Sequence, residues 1–295
     1  MRTVASLVQR NLRLYFRDVG GVCLSLMGSL VLFVLYVAFL GGLQVSALQD
    51  RFPAAAPADI DWFVSTWVLS GIIMITTLTT GLSGLETFVQ DRSSGGYRDF
   101  LVAPVRSWQL VAGYMIASAL IAVLMTTIVL IVGQSYLLLR GYDAVEPVKM
   151  AQTLGTIVLL SFTFAGMSSF AVTMIRSTGA FSALGTVVGT LVGFLAGAYL
   201  PLGSLPSNVV NTINALPFSQ AAMLVRLPLT DGALLALTGR QEPAMDALSE
   251  FYGISLTVND WAISASTAAL VLGALFIVFS ALASLRIRAV LRKQN

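Results

Sequence analysis

The chain has 295 residues, 57% of them hydrophobic and only 11% charged, and its mean hydropathy is +0.85. A soluble domain would carry about 25% charged residues, so a water-soluble globular fold is excluded. The net charge of +3 is spread over several short segments, which excludes a concentrated basic surface for nucleic acid. With no His and a single Cys, Cys23, the chain lacks the commonest metal ligand and general base, and it cannot form an intrachain disulfide.

Residues 1–18 carry an amphipathic pattern. At 100° per residue Val4, Leu7, Val8, Leu12, Leu14, Tyr15 and Phe16 fill one arc, and Arg2, Arg10, Arg13 and Arg17 cluster opposite. This predicts a basic helix lying in the membrane interface. The first long apolar run, Gly20 to Leu43, follows. It is too long for the core of a signal peptide, so it is expected to remain as a span, with Cys23 as a small packing residue.

Five further runs follow: Trp62 to Leu85, Trp108 to Leu139, Ala151 to Ile175, Ser177 to Leu200 and Trp261 to Leu285. All six exceed the roughly 20 residues that carry a helix across a ~30 Å hydrocarbon core. None contains Asp, Glu, Lys or Arg. The fold class expected is therefore an all-α integral membrane domain of six spans over residues 1–295. Twelve of the seventeen Lys and Arg residues fall before the first span, between spans two and three, after span four and at the C-terminus. By the positive-inside rule both termini are cytoplasmic.

Span two crowds Thr76, Thr77, Thr79, Thr80 and Ser83 into one half, and span four carries Ser161, Thr163, Ser168, Ser169 and Thr173. Such hydroxyls bond to their own helix or to neighbouring helices. Alternatively Thr76, Thr80, Ser83, Ser161 and Ser169 line a weakly polar path, which without formal charge suits hydrophobic or amphiphilic cargo. Span five carries Gly185, Gly189, Gly193 and Gly197, three overlapping G-x-x-x-G units for close helix packing, within the chain or across a dimer axis.

The connection between spans two and three, Glu86 to Pro104, holds both charge signs. Gly95 and Gly96 break it, and a short helix from Arg98 to Ala103 is expected to end at Pro104. A loop that only joined two spans could be much shorter, so this one is shaped to dock a soluble partner. Before the last span, residues 201–260 exceed what a connection needs. Leu205, Val209, Ile213 and Leu216 recur at helical spacing up to Pro217; a short helix capped by Thr230 or Asp231 closes at Gly239, and another runs from Pro243 to Gly253.

Glu86, Asp91, Arg92, Gly95 or Gly96, Leu101 and Pro104, then Leu110 and Gly113, resemble the pattern of type-2 ABC export permeases. Pro217 and Phe218 followed by Arg226 extend the likeness over nearly the whole chain. The paired Gly95 and Gly96 depart from it, since one glycine is usual, and they leave the register of the short helix open by one residue. The resemblance implies a permease of a bacterial plasma membrane working as a dimer, with itself or with a close paralogue. Two copies of a separate ATPase subunit would dock on Glu86, Asp91, Arg92, Arg98, Asp99, Leu101 and Pro104. It also implies that the piece after residue 201 re-enters the membrane as a helical hairpin and that the rest caps the exit.

The chain offers no engine of its own. It contains no G-x-x-x-x-G-K-[ST] loop, for Lys149 precedes Met150 and Lys293 precedes Gln294, so ATP and Mg are expected only in the partner. No ionisable group within the runs is available for proton coupling. A membrane-embedded lipid-modifying enzyme needs a metal, paired carboxylates or a Ser/His/Asp set, which the composition disfavours. A non-energised assembly factor or passive channel remains the other alternative.

Overall fold

The computed structural model describes residues 2–53, 55–94, 106–259 and 261–292. Helix α1, Arg2–Arg17, lies across the entry to α2, Val19–Leu35, and the two meet at 77°. Asp18 makes the corner: its carboxylate accepts the Gly21 N–H at 3.0 Å, capping α2. A π-helical turn, Tyr36–Leu40, leads into α3, Gly41–Arg51, so the first apolar run is helical but not uniformly α. Cys23 is exposed on α2 and does not pack within the chain.

The central element is α4, Pro57–Ser83, with Pro57 at its first turn. It is buried along nearly its whole length and is surrounded by the other long helices. After a short irregularity at Gly84 and Leu85 the same stretch continues as α5, Glu86–Ser93. Helices α6, Ser107–Leu139, and α7, Pro147–Val172, pack on α4 and on each other, and α8, Thr178–Leu195, lies at the rim.

The segment before the last run departs from the sequence expectation. A single 3-10 turn, Leu202–Ser204, precedes α9, Ser207–Asn214, and then one continuous helix, α10, spans Pro217–Thr238. Thr230 was expected to open a short helix. Its hydroxyl instead bonds back to the Arg226 carbonyl at 2.9 Å, and Pro228 is accommodated inside the helix because α10 packs along α4. Gly239 ends α10 in the left-handed region at φ 58°, as its position predicted. Helix α11, Glu242–Phe251, has its proline in the first turn, and Gly253 at φ 66° follows it.

A short antiparallel hairpin comes next, β1 Leu256–Val258 and β2 Trp261–Ile263, with Val258 opposite Trp261. Trp261 was expected at the head of the last span. Helix α12 instead starts at Ala265, where Ser264 Oγ accepts the Thr267 N–H, and it continues to Arg292. Among the described residues, six stretches are long and apolar enough to cross a membrane: α4 with α5, α6, α7, α8, α10 and α12. The bent α1–α2 pair is a seventh candidate. The all-α membrane class holds, but α10 joins the set unforeseen, because Gln220, Arg226 and Asp231 mask its apolar character in the sequence.

Contacts fix how α10 lies. Its Phe218 stacks on Phe164, well inside α7, at 6.2 Å between centroids. Its far end reaches the start of α7, where Asp231 pairs with Lys149 at 3.0 Å, and Gly232 lies beside Trp62 near the start of α4. At this same end Asp61 receives hydrogen bonds from Arg140, at 2.7 Å, and from the Tyr142 hydroxyl. Burial, and then that bond, push the Tyr142 phenol up to about 12.

Arg226 is fully buried on α10. Its guanidinium donates to the carbonyls of Ala196 at 2.9 Å, Gly197 at 2.7 Å and Gly253 at 3.2 Å, and it lies 5.5 Å from the centroid of the Trp67 ring. Trp67 Nε1 in turn donates to the Tyr252 carbonyl at 2.9 Å, and Tyr252 packs edge-on against both Trp67 and Phe63. The charge is thus held by the open carbonyls just past α8 and by the turn after α11, joining three segments distant in sequence. Replacing Arg226 by Leu should strand these buried acceptors, each worth about 1–3 kcal/mol when unsatisfied. The expected result is a lower melting temperature in detergent with membrane insertion retained; unchanged melting would mean that the carbonyls are otherwise satisfied.

Candidate coupling site

Helix α5 is held by two adjacent residues that point in different directions. The Asp91 carboxylate accepts a bidentate pair from Arg10, Nη1 to Oδ2 at 2.8 Å and Nη2 to Oδ1 at 2.9 Å. The Tyr114 hydroxyl on α6 donates to the same Oδ2, and Arg10 also reaches Asn11 Oδ1 at 3.2 Å. Asp91 is 16% exposed and Arg10 39%, so the pair is screened by water on one side only. Its hydrogen bonds to Asp91 hold the Arg10 guanidinium above its usual pKa.

One residue on, Arg92 points toward the other side of the bundle. Its Nη1 donates to the carbonyls of Thr173 at 2.7 Å and Ile175 at 3.1 Å, which lie just past the end of α7. Carbonyls there have no partner inside the helix and carry the negative end of its dipole, so a guanidinium is well placed. Successive residues on a helix differ by about 100°. The Asp91–Arg92 pair therefore ties α5 to α1 with one side chain and to α7 with the next.

Close packing supports the ion pair. A Cβ built on Gly113 of α6 would lie 2.6 Å from Leu7 Cβ, so only glycine lets α1 sit this near α6. Leu7 belongs to an apolar cluster with Phe88 and Val89 of α5, Leu110 and Tyr114 of α6, Phe181 of α8 and Ile287 of α12. The α1 apolar arc is therefore divided. Leu7 turns inward against α6, and Asn11 is buried with it.

The other predicted residues fall as follows. Glu86 is exposed, and its Oε1 accepts from Gln90 at 2.9 Å. Arg98, Asp99, Leu101 and Pro104, with Gly95 and Gly96, lie outside the described residues. Thr76 and Thr80 are buried and donate back to the carbonyls of Ile72 and Thr76, at 2.7 and 2.6 Å, and the Thr76 hydroxyl also shares a hydrogen bond with the Ser29 hydroxyl of α2 at 2.7 Å. Ser161 and Ser169 are buried in α7. Ser83 borders an open groove shared with Tyr15, Asp18, Ser25 and Glu86, and Ser169 borders a small cavity with Leu85, Tyr114 and Ile287. Thr76 thus reaches a second helix, Thr80 and Ser83 bond within α4, and the hydroxyls of Ser161 and Ser169 have no hydrogen-bond partner among the described residues.

The glycine ladder needs correction at one end. Gly197 lies beyond the last residue of α8, at φ 61°, and is part of a turn, not a rung of the helix. Gly193 is covered by Tyr199, which folds back so that its hydroxyl donates to the Gly189 carbonyl at 3.3 Å. Gly189 has only Thr79 near its missing Cβ, at 3.9 Å, and Gly185 has nothing within 4 Å. Among the described residues α4 approaches the ladder loosely, through Thr79.

Sequence reasoning missed Arg10, Tyr114 and Leu7 as partners of the site. Asp91 and Gly113 were singled out, but what each meets lies up to about a hundred residues away in the chain, and no local signal names it.

The sequence model of the ABC-2 type transporter family matches residues 2–227, from α1 into α10. The chain belongs to the ABC-2 type transporter family. It is a membrane-embedded permease subunit of an ABC transporter, a transport subunit and not itself the catalytic one. Comparison with curated proteins gave no match.

If the Asp91 pairing anchors α1, Arg10→Ala and Asp91→Ala should each loosen α1, and the double variant should cost less than their sum. A coupling energy of about 1–2 kcal/mol in detergent unfolding is expected; strict additivity would show that the pair contributes nothing. Gly113→Leu should act on the same contact by steric wedging and make α1 accessible to protease in membranes.

Proposed function

We propose that this permease belongs to an exporter that moves hydrophobic or amphiphilic compounds such as drugs, antimicrobial compounds or lipids outward across a bacterial plasma membrane. ATP and Mg are bound by a separate ATPase subunit, two copies of which dock on two permeases, identical or closely related. Both termini and the Glu86 to Pro104 segment face the cytoplasm, as the distribution of Lys and Arg supports.

The observation that carries this reading is the two-way anchoring of α5. Closure of an ATPase dimer against residues 86–104 pushes on α5 directly, Asp91 passes the load to α1, and Arg92 passes it to the end of α7. Three elements of the bundle then shift together, which is what a switch between inward and outward openings requires. The contacts of α10 support a re-entrant placement for residues 201–238. Phe218 meets α7 well inside that helix, whereas Asp231 and Gly232 meet the starts of α7 and α4.

The cargo path would carry no formal charge beyond the enclosed Arg226, which suits uncharged or weakly polar amphiphiles. The thinly covered face of α8 at Gly185 and Gly189 supports a second permease copy at that rim.

Arg92→Ala tests the mechanism. In proteoliposomes holding the permease and its ATPase, the variant should keep its insertion and nucleotide turnover while ATP-driven movement of a fluorescent amphiphile falls at least tenfold. Undiminished transport would reduce Arg92 to a structural tie, and amphiphile movement without ATP would favour a passive channel. Orientation is tested separately in a Cys23→Ser background. Asp246→Cys should react with an impermeant thiol reagent in intact cells and Ser94→Cys should not; the reverse pattern would remove the docking argument.

A further inference from the structure

A groove of about 640 Å³ runs between α1 and α6 beside the Leu7–Gly113 contact. One wall is the stripe Val4, Val8 and Leu12 of α1, and the other is the stripe Trp108, Ala112 and Ile116 of α6. Each set is spaced by four residues, so each forms one helical face. The two helices touch where Gly113 admits Leu7, and the flanking stripes do not close on one another. Trp108 remains 51% exposed. The accessible lining is apolar, and Gln9 and Arg13 of α1 border it with the apolar parts of their side chains. Among the described residues no ion pair engages Arg13, unlike Arg10 one turn earlier.

We propose that this groove is a binding site for one anionic phospholipid, with an acyl chain along the two stripes and its headgroup on Arg13. Two properties of the groove select this occupant. An acyl chain brings no polar groups that an apolar lining would leave unsatisfied. Arg13, the cation that borders the groove and pairs with no acid among the described residues, favours a negative headgroup over a zwitterionic one. Bound there, the lipid would fill the gap left by the close approach at Gly113 and brace α1 from the side opposite to Asp91. The site does not depend on the coupling role of α5, and its test needs neither ATP nor transport.

Quenching of Trp108 by brominated lipids reads occupancy of the groove. The full-length permease is placed in nanodiscs with increasing fractions of brominated phosphatidylglycerol or brominated phosphatidylcholine, and the signal lost in Trp108→Phe isolates this indole. Half-maximal quenching of wild type should occur at about fivefold lower mole fraction of the anionic lipid, the factor expected from one arginine near the headgroups. Arg13→Gln, at an exposed position, should bring the two curves together. Arg2→Gln, an equally exposed arginine that does not border the groove, should leave them apart. Equal curves in wild type, or a preference that survives Arg13→Gln, would overturn the site. Equal loss of preference in Arg2→Gln would reduce the effect to general surface charge, and absence of quenching by either lipid would mean that protein covers the groove.

Discussion

The arrangement of this permease depends on the enclosure of α4. A helix surrounded by other helices has no lipid to fill its gaps, so each neighbour must fit its surface, and packing replaces the hydrophobic effect as the source of affinity between helices. Small and hydroxylated residues along α4 meet that demand. Thr76, Thr77 and Thr80 bond back to carbonyls one turn earlier, which hides their polarity and leaves methyl groups to pack. Gly71 admits the backbone at Ala198, where an added Cβ would lie 2.8 Å from the Ala198 Cβ. The polar residues of α4 are therefore read more simply as the seam of a tightly filled bundle than as the wall of an open path.

The two ends of α4 are secured by different physics. At the start, aromatic packing and one enclosed guanidinium bind the segments around α10 and α11 to Trp67 and Phe63. Arg226 has no carboxylate beside it; backbone carbonyls serve instead, oriented by the turn at Gly197 and the turn at Gly253. A buried charge tolerates this because carbonyl dipoles aimed at it replace part of its lost hydration. At the other end, α5 is held by the partly buried Arg10–Asp91 pair, by the carbonyl contacts of Arg92 and by the buried side chains of Phe88 and Val89.

The same contrast separates the two faces of α1. Toward α6, Gly113 and Leu7 bring the helices into close contact, and the bidentate Arg10–Asp91 pair fixes the orientation about that contact. On the flank the helices diverge. Membrane proteins fill such gaps with lipid because hydrocarbon carries no unsatisfied polar groups. With the lipid proposed above in this gap, α1 would be tied on one side by Asp91 and braced on the other by hydrocarbon.

The sequence by itself determined the membrane class and most of the helices, because long runs without charge, helical spacing and Gly or Pro punctuation are local properties of the chain. It also placed Asp91, Arg92 and Gly113 in one pattern. Only the tertiary structure decided what those residues meet. Arg10 and Leu7 lie about eighty and a hundred residues from their partners, and apolar periodicity does not say which of several apolar faces will be apposed. Helix α10 was hidden for a related reason. Gln220, Arg226, Pro228 and Asp231 each lower its apparent fitness as a helix or a span, and their cost is offset by carbonyls, a lysine and an aromatic ring supplied from elsewhere in the fold. The glycine ladder failed in the opposite sense: its spacing was legible, but Gly197 belongs to a turn because the helix ends at Leu195, where Tyr199 folds back over Gly193.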